Sequence, residues 1–453
     1  MYAPTRRTFL RQAACAALGT TGLLNTIFDL RKLSAATIAD TGDFKALVCL
    51  FLFGGNDANN VIIPNDASGY ASYAAARGSL AIAQSSLLPL TLQEGDGRVF
   101  GFHSNLAELQ ALFNQGKLGL VANVGTLVAP ITRAQYLAGG AAVPPQLFSH
   151  ADQSVQWQTS VPEQPPRTGW GGRAADLLQS LNAGSKISLS ISIAGTNTFE
   201  VGNTVIPYQV SPAGSIGLAG FDGSANANIR LQAFKDLMAS SQQNLFAQAY
   251  ADTVERSMAN NELLTAALAG VPALQTVFPA TTLAGQLNMV AKLIAARNSL
   301  GMRRQIFFCA VQGYDTHGDQ LTAQADLLTE LSQGMNAFYS ATSELGVAQE
   351  VTTFTASDFG RTFPTNGNGS DHGWGSHQFV MGGAVRGGRL FGTFPTLAVN
   401  GPDDTGRGRW IPTTSVDEFS STLASWFGVS ASDMPTVLPN IGRFANPNLG
   451  FFA

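Results

Sequence analysis

The stretch TASDFGRTFPTNGNGSDHGWGSHQF, residues 355–379, gathers two carboxylates and two imidazoles in a chain with only five histidines: Asp358, Asp371, His372 and His377. Its glycines and asparagines describe a loop, and the apolar run before it describes a strand. Two earlier segments repeat the arrangement. LFGGND ends an apolar run at Asp57, and GYDTHGDQ follows another with Asp315 and His317. Carboxylate oxygens and imidazole nitrogens delivered to one place are metal ligands. Acids buried together repel one another and lose hydration, and a bound cation offsets both costs. The expectation is one or two divalent ions held by Asp57, Asp315, His317, Asp358 and His377, with His372 as an alternative ligand. Mixed oxygen and nitrogen donors favour Zn, Mn or Fe over Ca or Mg.

Most of these positions also have a plainer reading. Asp57, beside Asn56 and Asn59, fits an Asx-type turn. Thr316 and Asp319 have the spacing of a helix cap. Ser149 opens a Ser-x-x-Asp capping pattern with Asp152, yet beside a metal the same hydroxyl would be a nucleophile. Arg361 would stabilise negative oxygens or pair with Asp358. His103, in FGFHSN, reads as structural, placed before a helix.

The elements that must position these groups are apolar runs alternating with helical patterns. FKALVCLFLF, LGLVANVG, RQIFFCAV and QEVTTFTAS are the runs; NLAELQALFNQGK and ADLLTELSQGMNAFYSATSEL are helical. The pattern predicts an α/β fold whose largely parallel central sheet is covered by helices on both faces. Ligands in such sheets gather at the carboxyl ends of strands, where GGND, GYDTH and ASDFGRT fall. KISLSISIAG alternates strictly and predicts a half-buried strand. Residues from about 200 to 300 are mainly helical and read as an insertion or cap. SVDEFSSTLASWFGV predicts a late helix with Phe, Leu and Trp on its apolar face.

A chain of 453 residues can bury a large core. With charged residues at 12%, a net charge of −4 and no long basic run, nucleic acid is excluded as the main partner. The N-terminus carries Arg6 and Arg7 before Thr8, Phe9 and Leu10 and a mild apolar stretch. This predicts a twin-arginine export signal over 1–36, cleaved after Ala36, with 37–453 as the mature domain. The expected setting is periplasmic or otherwise exported, with the twin-arginine machinery as a partner. Nothing later offers ~18 consecutive apolar residues, so no membrane span is expected in the mature protein. Cys49 and Cys309 lie in apolar runs and read as small buried hydrophobes.

RRTFLRQ, LFGGNDANNVIIP, VGTLVAPITRAQY, FSHADQ, GYDTHGDQ and DFGRT…SDHGWGSHQFVMGGAVRGG together resemble the exported domain-of-unknown-function family 1501. That family in turn resembles a distant branch of the alkaline phosphatase and sulfatase superfamily. The resemblance implies one or two divalent metals at the strand ends and hydrolysis of phosphate or sulfate esters. By position, Asp57 resembles the first metal-binding Asp, and Ser149 the nucleophile at the start of a helix. Asp315 and His317 resemble an Asp…His ligand pair, and Asp358 the Asp of Asp-His-Gly. His372 or His377 resembles the late His ligand, and Arg361 would help to stabilise the oxyanion. Phe359 departs from this pattern, which leaves one metal position to His372 or His377. No Pro-x-Arg signature surrounds Ser149, which argues against a formylglycine sulfatase. The other function considered is a non-catalytic periplasmic metal-binding scaffold that binds a partner or surface glycan.

Overall fold

The computed structural model describes residues 44–452 apart from 95, 96, 166, 222 and 241–243; the expected export signal lies outside the described residues. The principal strands are β1 (Lys45–Leu52), β2 (Leu118–Gly125), β3 (Ser190–Ser192), β4 (Tyr208–Ser211), β5 (Arg304–Val311), β6 (Val351–Ser357) and β7 (Ser376–Gly382). They lie in the order β2-β7-β6-β1-β5-β3-β4 within one sheet. All run parallel except β7, which is antiparallel to both β6 and β2. β1 is central. Its Leu52 pairs level with Val311 of β5 and Ser357 of β6, so three loops leave the sheet at one edge.

The helices used below are α1 (Ala67–Arg77), α2 (His150–Thr159), α3 (Trp170–Leu178), α4 (Ala225–Ala239), α5 (Leu245–Ala269), α6 (Thr282–Ala295), α7 (Gln320–Glu344) and α8 (Val416–Phe427). Successive β1 side chains enter opposite cores, as the period of a strand requires. Ala46, Val48, Leu50 and Leu52 pack in one core with Leu287 of α6 and Leu331 of α7. Leu47, Cys49 and Phe51 pack in the other with Trp170 of α3 and Phe419 of α8. Each fully buried Leu or Phe contributes roughly 1.5–3 kcal/mol, so the sheet is held from both faces. The late helix α8 forms as expected, and Ser415 with Glu418 closes a capping box at its start.

One local expectation changes. In KISLSISIAG only Ser190–Ser192 is strand, and both serines are as buried as Ile191 between them. Parallel neighbours and covering layers bury both faces there, so the alternation marks small against large residues rather than outside against inside. Residues 225–239 and 245–269 are helices that pack on each other, with Leu245 and Phe246 86% and 88% exposed. Cys49 and Cys309 are free and buried. No helix among the described residues is long and apolar enough to cross a membrane.

Candidate metal centre

The three loops that leave the sheet together touch one another directly. Gly54 and Gly55 follow β1 with φ of 116° and 83°, where a side chain is strained. A Cβ on Gly54 would lie 2.3 Å from the Asp315 nitrogen, and one on Gly55 would lie 2.6 Å from the Phe359 ring. Arg361 fastens this junction. Its guanidinium donates to the carbonyls of Gly54, Gly55, Tyr314 and Ser370 and to Asp315 Oδ1, the last at 2.5 Å. Arg361 was expected to face a negative substrate oxygen or Asp358. Instead its buried side chain satisfies carbonyls converging at strand ends, which five N–H donors suit well.

Around Asp315 the structure gathers three imidazoles. Asp315 Oδ1 lies 3.3 Å from His150 Nε2, 3.1 Å from His317 Nε2 and 3.4 Å from His372 Nε2. His372 Nε2 is also 3.0 Å from His150 Nε2 and 2.9 Å from His317 Nε2. The far nitrogens of two rings are committed. His150 Nδ1 donates to Asp358 Oδ2 at 2.6 Å, and His372 Nδ1 donates to the Phe148 carbonyl at 2.7 Å. With both Nδ1 atoms engaged in this way, the two Nε2 atoms face each other across 3.0 Å with Asp315 Oδ1 beside them. His150, His372 and Asp315 thus offer three ligand atoms close enough together to hold a metal ion. A tetrahedral ion with bonds of about 2.0–2.1 Å places its donors roughly 3.3 Å apart, close to the spacings here. Asp358 Oδ1 is buried with no hydrogen-bond partner, a further donor available to a cation.

Chain geometry explains which residues arrive. Residues 358–375 double back, with Arg361 bridging His372 and Thr362 N–H donating to the Asp371 carbonyl. That return places His372 over the junction, whereas His377 lies inside β7. His150 comes from elsewhere, as the first residue of α2. Phe359, the residue in place of His, packs its ring against His150 and His372 with centroids 4.6 and 4.8 Å away.

Asp57 and His377, both expected as ligands, stand apart from this group. Asp57 Oδ2 accepts from Arg77 and Gln320, and its Oδ1 accepts from the Asn59 backbone and side chain. Buried acid does require a cation, but Arg77 of α1 supplies it. His377 accepts the Asn123 N–H at Nδ1, 3.0 Å away, and stacks on Phe394. Burial pulls its pKa down to about 3, so it stays neutral. His103 is likewise buried and receives the Asn105 N–H, as a structural residue would.

Ser149 precedes α2 between Phe148 and His150, the two residues that engage the cluster. Its hydroxyl donates to Asp152 Oδ2 at 2.6 Å and accepts no helix N–H, so it is not the expected cap. Thr316 and Asp319 do not cap either: the helix begins after Asp319, whose side chain makes no capping bond.

The ionisation pattern follows the contacts. The Asp358 hydrogen bond raises the His150 pKa against the opposing effect of burial. Burial lowers that of His372, with the Phe148 hydrogen bond opposing it. Burial pushes the Asp315 carboxyl up, but Arg361 and the two nearby histidines together hold it below its ordinary range. Asp371 is also low, through its Asn366 hydrogen bond.

His150 was not among the candidate ligands. Its one sequence signal was its place beside Ser149 in FSHADQ, at a helix start.

Residues 44–430 match the family described as "Protein of unknown function (DUF1501)". No curated protein sequence matches the chain. Among solved structures, the PsFucS1 sulfatase from Pseudoalteromonas sp. aligns over 93% of this chain and 76% of its own, at 8% identity and a TM-score of 0.36. The lipoteichoic acid synthase LtaP from Listeria monocytogenes aligns over 88% and 76%, at 8% identity and 0.35. The phosphonate monoester hydrolase SpPMH from Silicibacter pomeroyi aligns over 87% and 77%, at 9% identity and 0.34.

Proposed function

We propose that this chain, which belongs to the DUF1501 family, binds a divalent metal ion and hydrolyses phosphate or sulfate esters. The observation that carries the metal assignment is the convergence of three ligand atoms, His150 Nε2 and His372 Nε2 3.0 Å apart with Asp315 Oδ1 beside both. His150, His372 and Asp315 are the ligands, and His317 adds a fourth donor. Nitrogen-rich donation of this kind suits Zn, Mn or Fe better than Ca or Mg. When bound, such an ion draws charge from the oxygens of an ester and stabilises the negative charge they develop. Asp358 and the Phe148 carbonyl hold the two rings with Nε2 aimed inward, a contribution outer partners make in metal sites generally.

Ser149 is the nucleophile of this reading. Its Oγ attacks phosphorus or sulfur, and its proton passes to Asp152 Oδ2, already 2.6 Å away. The ester P–O or S–O bond breaks and its oxygen leaves as the alcohol, taking the proton from Asp152. Water then attacks the same phosphorus or sulfur, giving a proton back to Ser149 Oγ as that bond breaks and the acid is released. The substrate is a small ester or a surface glycan, met outside the cytoplasm after twin-arginine export. A second reading, a non-catalytic metal-binding scaffold, draws on Phe359 against two of the ligand rings and on Asp57 closed by Arg77.

Elemental analysis of protein purified without chelators, with turnover on a panel of phosphate and sulfate esters, separates the two. The expected result is bound metal and hydrolysis that disappears in Ser149→Ala while metal content stays. Hydrolysis unchanged in that variant overturns the nucleophile. Metal without turnover in the wild type selects the scaffold.

A further inference from the structure

Beside the cluster, one turn presents two guanidinium groups that neither metal binding nor ester cleavage has used. Residues 404–410 fold around Asp404, whose buried Oδ1 accepts the N–H groups of Gly406 and Arg409, both at 2.8 Å. Its Oδ2 accepts from Asn400 N–H at 2.7 Å, and Arg133 donates to its carbonyl. The turn is also pinned to the site's own loop, because Phe363 N–H donates to the Gly408 carbonyl. A Cβ on Gly408 would lie 2.6 Å from both Phe363 and Pro364, so the fit leaves no room for a side chain.

Arg407, at the tip of this turn, adopts φ of 67°, a conformation that residues with a Cβ seldom adopt. Its side chain is 67% exposed and is steered by one bond to Asp371 Oδ2 at 2.7 Å. Asp371 in turn faces His317 Nδ1 at 3.5 Å. Arg409 lies 4.1 Å above the Phe148 ring, and the Phe148 carbonyl is the group that orients His372. The Arg409 Nε is buried with no hydrogen-bond partner. Two cations thus flank the cluster, each one residue removed from a histidine of it. They are close enough that Arg407, after burial, lowers the Arg409 pKa. Two guanidinium groups carried by one hydrogen-bonded turn, one of them with a donor that nothing in the protein satisfies, fit an anion.

We propose that Arg407 and Arg409 form an oxyanion-binding subsite that receives a second, unreacted phosphate or sulfate group of the substrate. This rests on the ester-hydrolase reading and narrows its substrate to a polyanion. A substrate with one charged group leaves the subsite empty.

The test is calorimetric titration of the whole protein with inorganic phosphate and, separately, inorganic sulfate, both as purified and after chelation. Bound metal is counted in each preparation. In the chelated protein the expected result is binding of at least one anion, weakened about 10-fold in Arg407→Gln and lost in Arg407→Gln/Arg409→Gln. Metal content of the untreated variants should equal wild type. Whichever anion binds tighter names the ester class. Arg407→Lys should recover part of the affinity, since it keeps the charge and loses the fork. No anion binding by the chelated wild type, or binding unchanged in the double variant, overturns the subsite. A wild type without metal but with arginine-dependent anion binding overturns the metal reading and leaves the subsite standing. Because Arg407 is exposed, its single variant tests the idea even if the double variant fails to fold.

Discussion

Asp57 and Asp315 stand past the ends of neighbouring parallel strands, each two residues after a glycine in the left-handed region, and each carboxylate meets a guanidinium. From there they diverge. Asp57 is buried with both oxygens occupied by Arg77, Gln320 and Asn59. Asp315 is 48% exposed, and a single oxygen carries Arg361 and faces three imidazoles. The first pair is electrically complete and closed. The second sets one half-exposed carboxylate oxygen among a guanidinium and three imidazoles, and is open. A strand-end acid is therefore a site or a strut according to what the rest of the chain brings to it.

The sharpest way to break this contrast is to open the closed pair. Arg77→Met leaves Asp57 as a lone buried charge and should cost about 3–5 kcal/mol, read from the urea midpoint. Metal bound per folded chain should not change. Adding Asp57→Leu should recover most of that loss, since removing both charges also removes the desolvation penalty. An unchanged midpoint in the single variant would mean that the pair does not hold the fold as described.

On the open side, His372→Ala should weaken metal binding by more than about 100-fold, because even outer partners of ligands are worth 10–100-fold. Urea stability measured in chelator should move little by comparison. Asp358→Asn weakens the hold on His150, and about 10–100-fold is expected there, read in the same metal titration. If Asp358→Asn weakened metal more than His372→Ala, Asp358 itself would be a ligand and the two roles would be exchanged.

The smallest effect concerns His377, inside β7. His377 has its folded pKa depressed to about 3, so the unfolded chain binds more protons between that value and roughly 6.5. Stability is then fully present above about 6.5 and falls as pH drops, by about 1.4 kcal/mol per unit for this group. Urea midpoints at pH 7.5 and 5.5 measure the slope, and His377→Gln should flatten it. An equal slope in that variant assigns the acid sensitivity elsewhere, His103 being the next group with a lowered pKa.

Much of this was legible in the sequence. Apolar runs ending in Gly and Asp located β1, β5 and β6 and their shared edge, and Asp315, His317 and His372 came from those loops. Local spacing could not show which partners cross the chain. Arg77 reaches Asp57 from a helix whose own pattern is unremarkable, and His150 reaches Asp358 from 208 residues away. Nor could spacing separate His372 from His377. One lies on the returning arm of a loop and the other inside a strand, and the backbone bonds from Thr362 to Asp371 and from Gly373 to Gly360, which set Arg361 opposite His372, decide it.

The position of β1 between β5 and β6 has a consequence for how the molecule is made. As the chain emerges from the ribosome, residues 45–52 appear early, but their two ladder partners span 304–311 and 351–357. Until then an eight-residue apolar strand has both edges unpaired, an invitation to aggregate. Such late closure calls for chaperone cover during translation. A message truncated before codon 351 would yield a product that lacks the loop carrying Asp358 and His372 and has no partner for one side of its central strand.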